Sequence, residues 1–211
     1  YLPEFSDMSV YVGEKNGVII TEPAAPITIQ QLLIHTSGLT YDFFQTPVAK
    51  MYSKNGVVGG AHQTGTPEEG MKSGQASTLK NLDEWIKLVA KMPLVAQPGT
   101  QWNYSVGMDV LGRLVEVVSG QTFGVFLEER IFSQLGMVDT GFYVPKNKVD
   151  RFAANYLPTA DGRMQLFDDP QMSPYLTPPN LEMGGSGLVG TVGDYLKFAQ
   201  MLANKGQYNG V

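Results

Sequence analysis

Among the residues of this 211-residue chain able to do chemistry, Tyr104 is the best placed. It stands in the run 97–140, just before a strongly helical pattern, where a rigid packed unit can hold a side chain still. A tyrosine so held could act as a catalytic base. On spacing alone the plainer reading is a core aromatic that needs one hydrogen-bond partner. The other candidates are weaker. Ser77 and Lys80 form the one literal S-x-x-K, but they lie between a glycine-rich stretch and the apolar series Leu79, Leu82, Trp85, Ile86, Val89. Ser77 or Thr78 therefore reads as the N-cap of that helix and Ser77 as a decoy. No G-x-S-x-G elbow occurs, and the chain has no cysteine to serve as a thiol nucleophile. His35 is placed at a helix end, where an imidazole can bond free carbonyls or carry a favourable charge. His62 lacks a ligand partner at metal-binding spacing, and the carboxylates form no H-E-x-x-H or similar cluster, so no metal or other cofactor is expected.

The elements that must position Tyr104 follow from periodicity. Pro98 and Gly99 turn the chain, and Trp102 to Tyr104 lead into a helix whose Leu111, Leu114, Val115 and Val118 should face inward. Gly120 ends it and Thr122 caps a second helix with Phe123, Phe126, Leu127 and Ile131 on one stripe. Upstream, short apolar pieces at 9–12 and 17–20 suggest a hairpin around 14–17. Thr28 and Gln31 make a capping box for a short helix with Leu32 and Leu33 inward, ending at Gly38. The stretch 53–78 holds six glycines and reads as a long surface loop. Residues 144–183 are proline-rich and irregular. Thr191 caps a last helix, with Asp194 at the capping-box position and Tyr195, Phe198, Ala199 and Leu202 inward. The G-G-S-G run at 184–187 lacks the G-K-[ST] ending of a phosphate loop and reads as a turn for close backbone packing.

Four blocks carry a resemblance: Y-L-P-E-F at 1–5, I-T-I-Q-Q-L-L-I-H-T-S-G-L at 27–39, the Tyr104 run, and G-G-S-G-L-V-G-T-V-G-D-Y-L-K-F-A-Q-M-L at 184–202. In kind and order they resemble the serine beta-lactamase and penicillin-recognising superfamily, in its class C, D-aminopeptidase and family VIII carboxylesterase branch. Stretches near 52–77 and 152–183 match weakly. The resemblance implies an α+β fold, in which an antiparallel sheet with helices on its faces meets an all-helical lobe, the active site lying in the cleft between. Residues 1–211 are then a partial serine hydrolase domain. The helical lobe runs over roughly 27–150, and 184–211 returns toward the sheet lobe.

The same resemblance implies acyl transfer by the serine of an S-x-x-K motif, aided by its lysine and by the tyrosine of a Y-x-N or Y-S-x motif, which Tyr104 matches. A free phenol has a pKa of about 10, and nearby ammonium groups are what make its phenolate available. Tyr104 would take the serine proton and later protonate the leaving group, unless the lysine is the first base. Ser105 and Val106 complete the motif, and Tyr41, Asp42 and Phe43 with Phe44 match one wall of the cleft. Tyr41, Asp42, Phe43, Ser105 and Val106 are thus the candidate substrate contacts. For Tyr41 to Phe44, a loop covering the helical core is an equal alternative. Val106 stands where beta-lactamases usually carry an asparagine that bonds a substrate amide. A valine there tilts the expectation toward small esters and away from lactams.

The expected serine and lysine, upstream of 1–5, and a K-T-G-like or H-x-G-like motif, downstream, belong to other segments of the same protein. The chain alone is expected to be inactive, with apolar faces that aggregate in isolation. Beta-lactamase, D-amino-acid peptidase and acyltransferase activities are the rivals within the family, and a non-catalytic fragment or binding relative is the other rival. Composition fits a piece of an enzyme. Hydrophobic residues at 43% suffice for a core, and a net charge of −5 without a basic run argues against nucleic acid or an anionic membrane surface. No apolar run approaches the roughly 18 residues of a membrane span, and cytoplasm and periplasm or secretion remain equal alternatives.

Overall fold

Asn16 and Gly17 both adopt positive φ, 52° and 77°, and this pair of left-handed residues turns the chain back on itself. Such a turn matches the twist of an antiparallel hairpin. The computed structural model describes residues 1–57 and 79–210, and in it the hairpin is β1 (Ser9–Lys15) and β2 (Val18–Pro23), with an irregularity between Tyr11 and Gly13. Ser77, Thr78, His62 and most of the expected loop 53–78 lie outside the described residues.

The described chain divides into two compact units. The first takes in residues 1–57, 79–120 and 183–186. Besides the hairpin it holds α1 (Ile29–Leu33), α2 (Pro47–Lys54), α3 (Leu82–Val89) and α4 (Gly107–Ser119), with α1 and α3 both packed on α4. The expected capping box forms in full. Thr28 Oγ1 accepts from Gln31 N at 3.2 Å, and Thr28 N donates to Gln31 Oε1 at 2.9 Å. The helix ends before Gly38, because His35 itself turns left-handed at φ 56°. Leu32 is buried while Leu33 is exposed, since five residues bury only one side of a helix.

For α3 the cap is Asn81, whose side chain accepts from Glu84 N at 2.9 Å, while Glu84 Oε2 accepts from Lys80 N. Leu82, Trp85, Ile86 and Val89 are all fully buried, the i, i+3, i+4, i+7 face that the sequence predicts. Each such side chain contributes roughly 1.5–3 kcal/mol on leaving water. On α4 the buried face differs from the expected one. Val110 is enclosed together with Gly107, Asp109 and Gly112, whereas Val118 is 64% exposed. Small residues there let neighbouring backbone approach α4 closely, and that fixes which face turns inward.

The second unit takes in 121–182 and 187–210. Thr122 caps α5 (Phe123–Leu127), which runs through one π-helical turn, Glu128–Phe132, into α6 (Ser133–Leu135). Residues 155–168, expected to be irregular, form a second hairpin of β3 (Asn155–Pro158) and β4 (Met164–Asp168). An Asp161–Gly162 turn closes it, with Gly162 at φ 79°. Then comes α7 (Val192–Ala203), capped by Thr191 as expected. Asp194 does not return the capping-box bond. Its carboxylate accepts instead from Asp139 N at 2.7 Å, Thr140 Oγ1 at 3.1 Å and Lys197 at 2.9 Å. Phe198 and Met201 pack on the buried cluster Phe132, Leu135 and Met137, leaving Tyr195 and Leu202 on the exposed side of α7 against expectation.

Candidate active site

Six residues, 35 to 40, lie along the segment 95–106 and are tied to it by backbone bonds. Val95 N donates to Gly38 O at 2.8 Å, Gly99 N to Thr36 O at 2.7 Å, Asn103 N to His35 O at 2.8 Å and Val106 N to Thr40 O at 3.3 Å. Two of these bonds bracket Tyr104 and fix its backbone. Immediately after it α4 begins. No side chain caps this helix at Val106, but the Ser105 hydroxyl accepts from Gly107 N at 3.4 Å, and His35 Nδ1 lies 3.4 Å from the same oxygen. A side chain at Gly107 would bring its Cβ to 3.0 Å from Leu32 O, so the end of α1 and the start of α4 meet there with little space.

The Tyr104 ring is 44% exposed and stands in the middle of a row of rings. On one side His35 lies 5.0 Å away and Trp102 6.3 Å away, the indole nearly parallel at 20°, with His35 edge-on to it at 5.9 Å. On the other side Tyr41 lies at 5.0 Å, stacked at 4.8 Å on Phe43, which contacts Phe44 at 4.9 Å. Offset and tilted aromatic contacts of this kind are worth about 0.5–1.5 kcal/mol each beyond area burial. Partial burial holds His35 below its ordinary pKa, so the imidazole is neutral at neutral pH. It bonds a hydroxyl and packs on a phenol, a different duty from the carbonyl-capping one the sequence suggests.

Of the residues expected at the site, the structure brings Tyr104, Tyr41 and Phe43 into one surface, with Asp42 partly buried between the last two in sequence. Phe43 is 57% exposed and presents a flat apolar face. Tyr41 is only 6% exposed, its hydroxyl 3.0 Å from the place a Gly185 Cβ would take. Ser105 and Val106 are wholly enclosed. Ser105 bonds Gly107 N where α4 starts, and Val106 stands at the N-cap position of that helix.

Sequence reasoning missed Asp109. It lies in the first turn of α4 at 1% exposure, and its Oδ1 accepts from Gly185 N at 2.8 Å. Burial pushes its pKa up to about 6, against the opposing pull of bonds from Gly185, its own backbone N–H and Tyr41. Beside it Tyr41 is driven well above the ordinary phenol range, by burial first and then by the Asp109 charge. Residues 184 and 185 close over this pair. A Cβ at Gly184 would lie 2.1 Å from Met108 O, and one at Gly185 would lie 3.0 Å from the Tyr41 hydroxyl and 3.1 Å from Asp109 Oδ1. The close-packing turn read from G-G-S-G is what these glycines make.

No group of three or more His, Cys, Asp or Glu able to hold a metal occurs among the described residues. No single described helix is long and apolar enough to cross a membrane.

Helices packed with small antiparallel hairpins, and a half-exposed tyrosine at the head of a helix, place the chain in the beta-lactamase/transpeptidase-like fold class. A family model described as Beta-lactamase matches residues 2–210, and the chain belongs to that family. Protein Rv1367c of Mycobacterium tuberculosis is 34% identical over 212 aligned residues, covering 100% of this chain and 47% of that protein. Lovastatin esterase of Penicillium rubens is 38% identical over 146 residues, or 67% of this chain and 31% of that protein. Among solved structures, EstCE1, described as a hydrolase with promiscuous acyltransferase activity, superposes with a TM-score of 0.72 at 27% identity. That match covers 99% of this chain and 51% of EstCE1. The chain thus spans about half the length of the first curated relatives it matches. Family members include esterases and acyltransferases.

Proposed function

We propose that the protein is a serine carboxylesterase that works through an acyl-enzyme, with Tyr104 as its catalytic tyrosine. The observation that carries this reading is Tyr104 itself, bracketed by two backbone bonds and framed by rings while the residue stays partly exposed. A fixed frame with 44% exposure is what a catalytic side chain needs. The nucleophilic serine and its lysine come from segments of the protein outside this sequence. The serine oxygen attacks the ester carbonyl and its proton passes to the Tyr104 phenolate; the phenol returns that proton to the departing alkoxide, leaving the acyl group on serine. Water then repeats the sequence, giving its proton to the phenolate, and the serine recovers it as the acid leaves.

Ester substrates with apolar groups fit the exposed rings of Phe43, Phe44 and Trp102. The family's esterases and the hydrolase EstCE1 support the same reading. Acyltransferase activity is the second reading, favoured by EstCE1 and by acyltransferase relatives; it differs only in whether an alcohol or water takes the acyl group. The test uses the full-length protein with p-nitrophenyl esters, nitrocefin and a fluorophosphonate probe. Ester turnover with covalent labelling and little nitrocefin hydrolysis is expected. Absence of labelling, or faster nitrocefin turnover, would refute the esterase assignment.

A further inference from the structure

Asp109 is a costly residue to keep where it is. Burying a carboxylate is unfavourable unless each oxygen is bonded, and here Oδ1 has the Gly185 N–H while the enclosed Oδ2 makes no hydrogen bond of ordinary geometry among the described residues. Tethering the 184–185 turn to α4 needs one acceptor and no charge; an amide oxygen would serve. The charge therefore acts on something else, and Tyr41 is beside it: the same point, the place a Gly185 Cβ would take, is 3.0 Å from the Tyr41 hydroxyl and 3.1 and 3.2 Å from the two Asp109 oxygens. Tyr41 in turn lies ring to ring with Tyr104 at 5.0 Å. The groups facing Asp109 are thus Tyr41, with Asp42 next along its loop, Gly185 from the closing turn and Tyr104 ahead of α4. Arg113, one turn further along α4, is already paired with Asp83 at 2.7 Å and Glu116 at 3.0 Å.

We propose that Asp109 is a positioning residue for the reaction: its buried carboxylate holds the Tyr41 phenol, and Tyr41 sets the orientation of Tyr104. This rests on the proposed role of Tyr104. In the full-length protein, Asp109→Asn keeps an oxygen for Gly185 N–H and removes the charge. Expected is a kcat on p-nitrophenyl esters lower by about ten- to a hundredfold, the scale of a lost interaction with a buried charge, with KM little changed. Tyr41→Phe should give a similar loss, and the double variant should be no worse than either single one. Independently of turnover, the ultraviolet titration of tyrosinate should show one reluctant phenol ionising at lower pH in Asp109→Asn, whereas Tyr41→Phe should lose one reluctant phenol and keep that of the fully buried Tyr52. An Asn variant with wild-type kcat, losses that multiply in the double variant, or an unchanged tyrosinate titration would overturn the proposal. Should the wild-type protein turn over no ester, the functional reading fails, and the titration alone still decides whether Asp109 governs Tyr41.

Discussion

Replacing Gly184 by alanine isolates the packing that seals Asp109 without touching a titratable group. The added Cβ would lie 2.1 Å from Met108 O, 2.9 Å from Met108 C and 3.3 Å from Gly112 N, all backbone atoms of α4. Ordinary contact begins near 3.4 Å, so turn and helix must separate by about an ångström. Overpacking of this kind costs roughly 1–3 kcal/mol. The same shift stretches the 2.8 Å bond from Gly185 N to Asp109, worth about 1.5–3 kcal/mol for a charged acceptor. Because one movement causes both losses, they overlap, and about 3–4 kcal/mol is expected in all. At ~2 °C per kcal/mol for a domain of this size or larger, thermal unfolding of the full-length protein should fall by roughly 6–8 °C. A matched control is Gly17→Ala, where a Cβ meets nothing within 4 Å and only the positive φ is strained, at about 1 kcal/mol. A Gly184→Ala protein that melts with wild type, or no earlier than Gly17→Ala, would refute the packing argument.

Trp85→Ala, which empties a fully buried indole site between α3 and its neighbours, should cost about 3–5 kcal/mol in urea unfolding. Asp139 is held down to about 2 by bonds from Arg151 and Lys148. Its folded value is depressed, so its stabilisation is present above about pH 4 and fades as pH falls toward 2; Asp139→Asn should flatten the wild-type melting curve in that window. Asp109 has the opposite sign. With its folded value raised to about 6, the folded state binds the extra proton between about pH 4 and 6, so stability falls as pH rises through that window, by on the order of 3 kcal/mol. Asp109→Asn should remove that slope in melting temperatures measured against pH.

Features written in neighbouring residues were legible from sequence. The Thr28–Gln31 capping box, the first hairpin, the Thr122 and Thr191 caps and the α3 face depend on spacings of a few residues, and all form. Apart from the α3 cap, itself a local bond, what failed depends on distant contacts. Asn81 takes the α3 cap because it is the residue whose side chain meets Glu84 N. Tyr195 and Leu202 were placed inward by apolarity, whereas the carboxylate of Asp194 and the contacts of Phe198 and Met201 decide the rotation of α7. The second hairpin had a signal, Asp161–Gly162 between residues of β character, obscured by the surrounding prolines. Tyr104 stands out as a candidate because its motif is local and matches a known pattern. Asp109 does not, since an aspartate in a first helical turn ordinarily faces water, and only Gly184, Gly185 and Tyr41, from remote parts of the chain, enclose it.

The acylation rate of Tyr104→Phe in the full-length protein, followed by fluorophosphonate labelling and by the p-nitrophenol burst, tests the central claim most directly. The ring keeps its contacts with His35 and Tyr41, so the melting temperature should stay near wild type while acylation falls by several orders of magnitude. Near-normal acylation with an intact fold would contradict the assignment of Tyr104 as the catalytic tyrosine.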